Sequence, residues 1–195
     1  MTKSTAASIS SMHAPTSALI TTERLTLRLM LPQDWPFYLR LNSDPYINRY
    51  IRDVEDESIL QQKFTVRSHC EDFFAGDWLS LTIELNGAAV GLMGLCCIDN
   101  ELMHAEVGYL LAPEAEGQGI ATEALQALAA YALSHYPLHK LVGRCVNGNI
   151  ASARVLEKCG FQLEGILRHN HRIAGCWCDD RYYGLLADDV MAVNA

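Results

Sequence analysis

The chain has 195 residues, half of them hydrophobic and 19% charged, with a formal net charge of −8; this is the profile of a soluble globular domain long enough to bury a core. Such acidity excludes a general nucleic-acid binder, which needs cations to displace phosphate counterions. It either aids solubility alone or draws cationic substrates such as polyamines, aminoglycosides or basic protein tails. Seven cysteines without a CxxC pair, and no apolar run of about 18 residues, argue against a disulfide framework and a membrane span and fit a reduced, cytoplasmic protein.

Residues 1–19, "MTKSTAASISSMHAPTSAL", are rich in Ser, Thr and Ala and lack the apolar core of a secretory signal. They are expected to form a disordered tail ahead of a single domain spanning 20–190. "RLTLRLM" (24–30) alternates with the strand period and stops at Pro32. "PQDWPFYLRLNSDP" predicts a short helix closed before Pro45. Residues 55–75, with Ile59, Leu60, Phe64, Val66, Phe73 and Phe74, predict a longer amphipathic helix ended by Gly76. "WLSLTIEL", "AAVGLMGLCCI" and "MHAEVGYLLA" predict an antiparallel meander turned at Asn86-Gly87 and Asp99-Asn100. The period then changes: Ala121, Ala124, Leu125, Leu128 and Ala132 give one apolar helix face, stopped by Pro137. "KLVGRCV" reads as a strand and "NIASARVLEKCG" as a helix with Gly160 in the C-cap position. Two last strands meet near Ala174-Gly175. About seven strands with interspersed helices make an α+β fold.

"PEAEGQGIATEAL" (113–125) strips side chains from the start of the long helix. The first turn of a helix has unpaired N–H groups and the positive end of the dipole, so bare backbone there admits a phosphate. The spacing is neither a Walker A loop nor a GxGxxG fingerprint. Glycines also serve plain tight turns.

Taken with "AEVGYLLA" before it and "NGNIASARVLEKCGF" after it, the stretch resembles the GNAT superfamily of acetyl-CoA-dependent N-acetyltransferases, in particular its RimJ/RimL branch. "TTERLTLRLM", "NSDPYINRYI" and "GCWCDDRYYGLL" resemble further motifs of that branch, so the likeness covers roughly 21–188. It implies a strongly twisted, mostly antiparallel sheet whose fourth and fifth strands splay to admit acetyl-CoA, with flanking helices and no metal. The pyrophosphate motif falls on Glu116, Gly117, Gln118, Gly119, Ile120, Ala121 and Thr122. Glu116 departs from the family's Gln or Arg and is expected to point outward. Pantetheine is expected along Tyr109, Leu110 and Leu111 and near Asn149, with the N–H of Leu110 or Leu111 facing the developing oxyanion.

The activity implied is direct acetyl transfer to a primary amine, by a monomer or homodimer, with neither nucleic acid nor membrane as partner. The acceptor is a protein N-terminus, or alternatively a polyamine or aminoglycoside; a non-catalytic acyl-CoA sensor is a further alternative. The tyrosine that many members use as acid is replaced by Leu156. Ser152 is then the candidate acid, unless it serves only as a first-turn helix residue. Glu106 is the first candidate base and His171 the second; the competing readings are a paired structural carboxylate and a rim histidine. A tetrahedral zinc site from His169, His171, Cys176 and Cys178 is the rival for the last hairpin, against which the one-residue cysteine spacing stands.

Overall fold

A computed structural model describes residues 18–189. Its strands are β1 (Ala18–Thr21), β2 (Leu25–Leu29), β3 (Trp78–Leu85), β4 (Ala88–Asp99), β5 (His104–Leu111), β6 (Lys140–Val146), β7 (Gln162–Ile173) and β8 (Cys176–Leu186). Its helices are α1 (Trp35–Ser43), α2 (Pro45–Asn48), α3 (Glu57–Arg67), α4 (Ile120–His135) and α5 (Ile150–Lys158). The strands form one sheet in the order β1-β2-β3-β4-β5-β6-β8-β7, antiparallel throughout except between β5 and β6. Among the described residues no helix is long and apolar enough to cross a membrane.

Alternation along the strands decides what covers each face. Leu27, Leu81, Ile83, Met93, Leu95 and Val107 share a core with Leu125 and Leu128 of α4 and Leu156 of α5. The opposite face brings Leu92, Leu110 and Ala112 against Tyr38 and Leu41 of α1 and Leu60 and Phe64 of α3. Each such leucine contributes roughly 1.5–3 kcal/mol by leaving water. Two hairpins close on two-residue turns with both residues left-handed: Asn86-Gly87 (φ 52° and 79°) and Ala174-Gly175 (φ 49° and 77°). That geometry matches the twist of the flanking strands.

Two expectations need correction. Ala18 and Leu19, expected in the tail, open β1, an edge strand paired with β2 that brings the sheet to eight strands among the described residues; the rest of the expected tail, 1–17, lies outside the described residues. The fourth and fifth strands of the sequence reading are therefore β5 and β6. The long helix over 55–75 is α3 followed by a separate 3₁₀ turn, Phe73–Ala75. The backbone leaves the helix because the Asp77 carboxylate accepts the N–H groups of Glu71 and Asp72, and Gly76 (φ 102°) caps the short turn alone.

A buried ion pair fixes the entry to α1. Arg28 donates to both oxygens of Asp34 at 2.7 Å and to Glu84 at 2.7 Å, while Asp34 also accepts from Leu31 N–H and the Thr82 hydroxyl. Burial works to raise the Asp34 pKa, but these donors outweigh it and hold the carboxyl below its usual range. A depressed carboxylate contributes stability above its unfolded pKa, about 3.9, and loses it as pH falls through the lower folded value. Asp34→Asn is accordingly expected to cost about 3 kcal/mol at neutral pH, since it takes the bidentate partner from a buried guanidinium and leaves it Glu84 alone. Urea unfolding should show the gap from wild type narrowing below about pH 4.

Candidate active site

The parallel seam between β5 and β6 closes only part of the way. Pairing runs from His104 opposite Lys140 to Val107 opposite Gly143 and stops there, whereas β5 stays paired with β4 as far as Leu111. Gly143 sits at the parting point, where a Cβ would meet Leu156 Cδ2 at 2.4 Å; the bare backbone lets α5 lie directly on β6. A cleft of about 690 Å³ opens through the seam.

Which backbone donors face it follows from one bond. Ala112 N–H donates to Val90 O on β4. Antiparallel alternation then turns the N–H groups of Leu110 and Gly108 towards β4 as well, and those of Leu111 and Tyr109 towards the open seam. Leu110 lines the cleft with its side chain but is spent as a donor, so the expectation for its N–H is corrected: Leu111 and Tyr109 supply the free groups.

At the end of β5 the chain passes through a 3₁₀ turn, Pro113–Ala115, and reaches α4 through Gly117 (φ 73°) and Gly119 (φ 77°). Both conformations are left-handed, which glycine adopts without penalty. Gly119 is the N-cap and has no side chain to bond the first turn. Glu123 N–H is the first to take a helical partner, the Gly119 carbonyl at 3.0 Å. The N–H groups of Ile120, Ala121 and Thr122 are thus left to the cleft, which these residues line with Glu116, Gly117 and Gly119. Glu116 is exposed at the rim. Gln118 does not line the cleft: its side-chain amide turns back to the Glu114 carbonyl at 2.8 Å. Its own carbonyl accepts from Arg24, which also pairs with Glu123 at 2.6 Å. Arg24 therefore braces the loop from β2's side, a role no local pattern in the sequence signals across a separation of 94 residues.

Asn149 caps α5, its side-chain oxygen accepting Ser152 N–H at 3.1 Å. Ser152 is thus a first-turn residue, and it also reaches the cleft. Its Oγ lies 2.8 Å from the hydroxyl of Tyr109, which reaches across from β5. Burial pushes the Tyr109 phenol well above its ordinary pKa, against the opposing bond from Ser152. Tyr109 therefore keeps its proton, with both the Ser152 carbonyl at 3.1 Å and Ser152 Oγ within reach, and either hydroxyl can donate to the other. Leu156, where a tyrosine was expected in many relatives, is core and 1% exposed. Cys145 faces the cleft from β6; burial raises its pKa, so it is a neutral thiol.

Glu106 and His171 line the other side. Glu106, still in the paired part of the seam, is ion-paired through Oε2 to Arg144 just past the point where it parts. His171 Nε2 stands 2.8 Å from the Ile51 carbonyl. A carbonyl only accepts, so Nε2 carries the proton and Nδ1 is the free acceptor. The four residues of the zinc alternative do not converge. A bulge between Leu167 and His171 gives His169 a positive φ of 50° and stacks its ring on Trp177, breaking the shared face that strict alternation predicts. Among the described residues no group of three or more His, Cys, Asp or Glu is placed to hold a metal ion.

A sheet parted at one seam, with an open helix N-terminus at its far end, is built to thread a long phosphorylated carrier between two strands. The fold and site therefore define an acyltransferase. Residues 24–162 match the family described as "Acetyltransferase (GNAT) domain", and the chain belongs to that family. It is 30% identical to the "Putative ribosomal N-acetyltransferase YdaF" of Bacillus subtilis strain 168, over 84% of this chain and 92% of that one. It is 26% identical to the spermidine N(1)-acetyltransferase of Escherichia coli K12, over 76% and 78%. The fold also matches RimL, a ribosomal L7/L12 alpha-N-protein acetyltransferase solved with coenzyme A, with a TM-score of 0.79 and 20% identity over 89% of this chain and 99% of that one. The chain is a GNAT acetyltransferase with RimL-like relatives.

Proposed function

We propose that the protein transfers an acetyl group from acetyl-CoA to the α-amine of a protein N-terminus by direct attack, without an acyl-enzyme. The observation that carries direct transfer is the hydroxyl pair in the seam. The two hydroxyls lie 2.8 Å apart; in this mechanism Tyr109 donates to Ser152 Oγ while Ser152 passes its own proton to the departing sulfur. Burial raises the pKa of the cleft thiol that could serve as a nucleophile, Cys145, which disfavours its thiolate. Free N–H groups of Leu111 and Tyr109 face the oxygen that gains charge. The backbone N–H groups of Ile120, Ala121 and Thr122, laid open by Gly117 and Gly119, hold the diphosphate. Glu106 takes the amine proton, directly or through water, and His171 Nδ1 is the alternative acceptor.

The protein N-terminus as acceptor draws support from the ribosomal relative, which matches more of this chain and at higher identity than the spermidine relative does. Acetyl transfer to N-terminal peptides, to spermidine and to an aminoglycoside, followed by thiol release, tests it. Peptides are expected to give the highest kcat/KM. Faster turnover of spermidine or the aminoglycoside overturns the protein acceptor while leaving acetyl transfer intact.

A further inference from the structure

The protein is acidic, with net charge −8, yet the wall of the cleft on the α1–α3 side is cationic. Arg67 ends α3 with its guanidinium 4.4 Å from the centre of the Trp78 ring. Trp78 in turn lies under Gly108, whose Cβ would meet it at 3.3 Å. Arg67 therefore stands over the stretch of β5 where the seam parts. Burial lowers its pKa, and the carboxylate that acts on it, Glu106, is bonded to Arg144. No carboxylate pairs with Arg67 among the described residues.

Arg52 faces the same space and repels Arg67. Its Nη2 donates to Asn42 Oδ1, but its Nε is buried without a hydrogen-bond partner. Glu55 comes no nearer than 4.0 Å to that nitrogen and is itself held by Lys63 at 2.5 Å. The other acid on this wall, Asp180, accepts from Asn170. Neither arginine belongs to the phosphate loop. Trp78 aligns through Cys96 with Glu106, five residues and roughly 17 Å of strand before Leu111. The loop also lies at the N-terminus of α4, which covers the opposite face of the sheet. A desolvated, unpaired cation beside a buried donor without a partner is costly unless an anion arrives.

We propose that the acceptor carries a carboxylate close to the amine that takes the acetyl group, and that Arg67 and Arg52 receive it. This rests on the proposed acetyl transfer with Glu106 or His171 taking the amine proton, since both line the same cleft as Arg52 and Arg67. For a protein N-terminus it means Asp or Glu among the first few residues. A polycation is turned away by the same charges.

The test uses hexapeptides identical except for Asp, Asn or Lys at positions two and three, with free aspartate and glutamate as a separate arm. Both kcat/KM and calorimetric affinity for the CoA-loaded protein are read. The Asp peptide is expected to exceed the Lys peptide by at least about tenfold, the scale of one charge-assisted hydrogen bond. Arg67→Gln and Arg52→Gln should each collapse that ratio towards one; coenzyme affinity and the melting temperature report that each variant is folded. Equal or inverted selectivity in the wild type, or a ratio untouched by both substitutions, overturns the proposal. If free acidic amino acids are acetylated and peptides are not, the carboxylate pocket stands and the protein N-terminus falls. If Asn peptides are acetylated as well as Asp peptides, the N-terminus stands and the pocket falls. If no acceptor turns over, calorimetry of the Asp and Lys peptides alone decides the pocket, and equal affinities overturn it.

Discussion

Gly119→Glu is expected to raise the dissociation constant for acetyl-CoA about 100-fold or more. Setting a carboxylate against an anionic ligand costs several kcal/mol, and each 1.4 kcal/mol is a factor of ten in affinity. The site offers bare N–H groups on Ile120, Ala121 and Thr122, with no side chain from the N-cap to fill their place. A side chain at 119 starts where the helix dipole would otherwise meet a phosphate. Two smaller effects must be separated from this. Gly119 has φ 77°, so any L-residue there costs roughly 1–2 kcal/mol of folding stability. A Cβ there would also stand 3.6 Å from Arg24 Nη2, an ordinary contact. Gly119→Ala carries the strain without the charge and should weaken binding only a few-fold. Calorimetry on both variants, with melting temperatures alongside, separates the terms. Unchanged affinity in a folded Gly119→Glu protein would show that the diphosphate sits elsewhere.

Local chemistry explains what the sequence disclosed. Strands β3 and β4 announce themselves as apolar, strand-like runs on either side of Asn86-Gly87, whose left-handed pair admits one kind of turn. The glycines at 117 and 119 were legible for the same reason: a positive φ at a helix start leaves few residue choices. The edge strand β1 was not, because four residues following a Ser- and Thr-rich stretch carry too little pattern, and its order comes from pairing with β2. The overlong helix had a similar cause. Val66, Phe73 and Phe74 mimic helical spacing, but Val66 is 70% exposed and the two phenylalanines pack with Tyr136 from another element.

Among the site residues, those within one motif were readable and those joined across the chain were not. Asn149 and Ser152 are three apart, and the cap between them is a local fact. Tyr109 was read as backbone for the pantetheine; its hydroxyl partner is 43 residues away, so only the packing of α5 on the sheet reveals it. The arginine wall depends on the loop before α3 and on the end of that helix folding over β3, a juxtaposition without any signature in sequence. The His169–His171 face failed because β7 advances four residues for two of β8 between Leu167 and His171, with His169 left-handed in the irregular stretch, and periodicity cannot foresee that.

The second large effect concerns those two hydroxyls. Ser152→Ala is expected to lower kcat about 100-fold, the lower end of what a positioned general acid contributes. Coenzyme affinity should hold, since Asn149 caps α5 through the Ser152 backbone, which alanine retains. Tyr109→Phe removes the phenol bonded to Ser152 Oγ, which in the proposed mechanism keeps the Ser152 proton aimed into the cleft, and a neutral hydrogen bond is worth about 1 kcal/mol. A fall of about fivefold follows from that figure. If the two act in series, the double variant should be no slower than Ser152→Ala, because a tyrosine without its relay has nothing left to orient. Independent roles would instead multiply the two deficits. The deficit of Ser152→Ala should also shrink with an acetyl donor whose thiol is a stronger acid, since a better leaving group needs less protonation. A purely structural serine would slow both donors equally. Single-turnover rates for the four proteins with both donors decide between these outcomes, and a Ser152→Ala rate within threefold of wild type removes the serine from the chemistry.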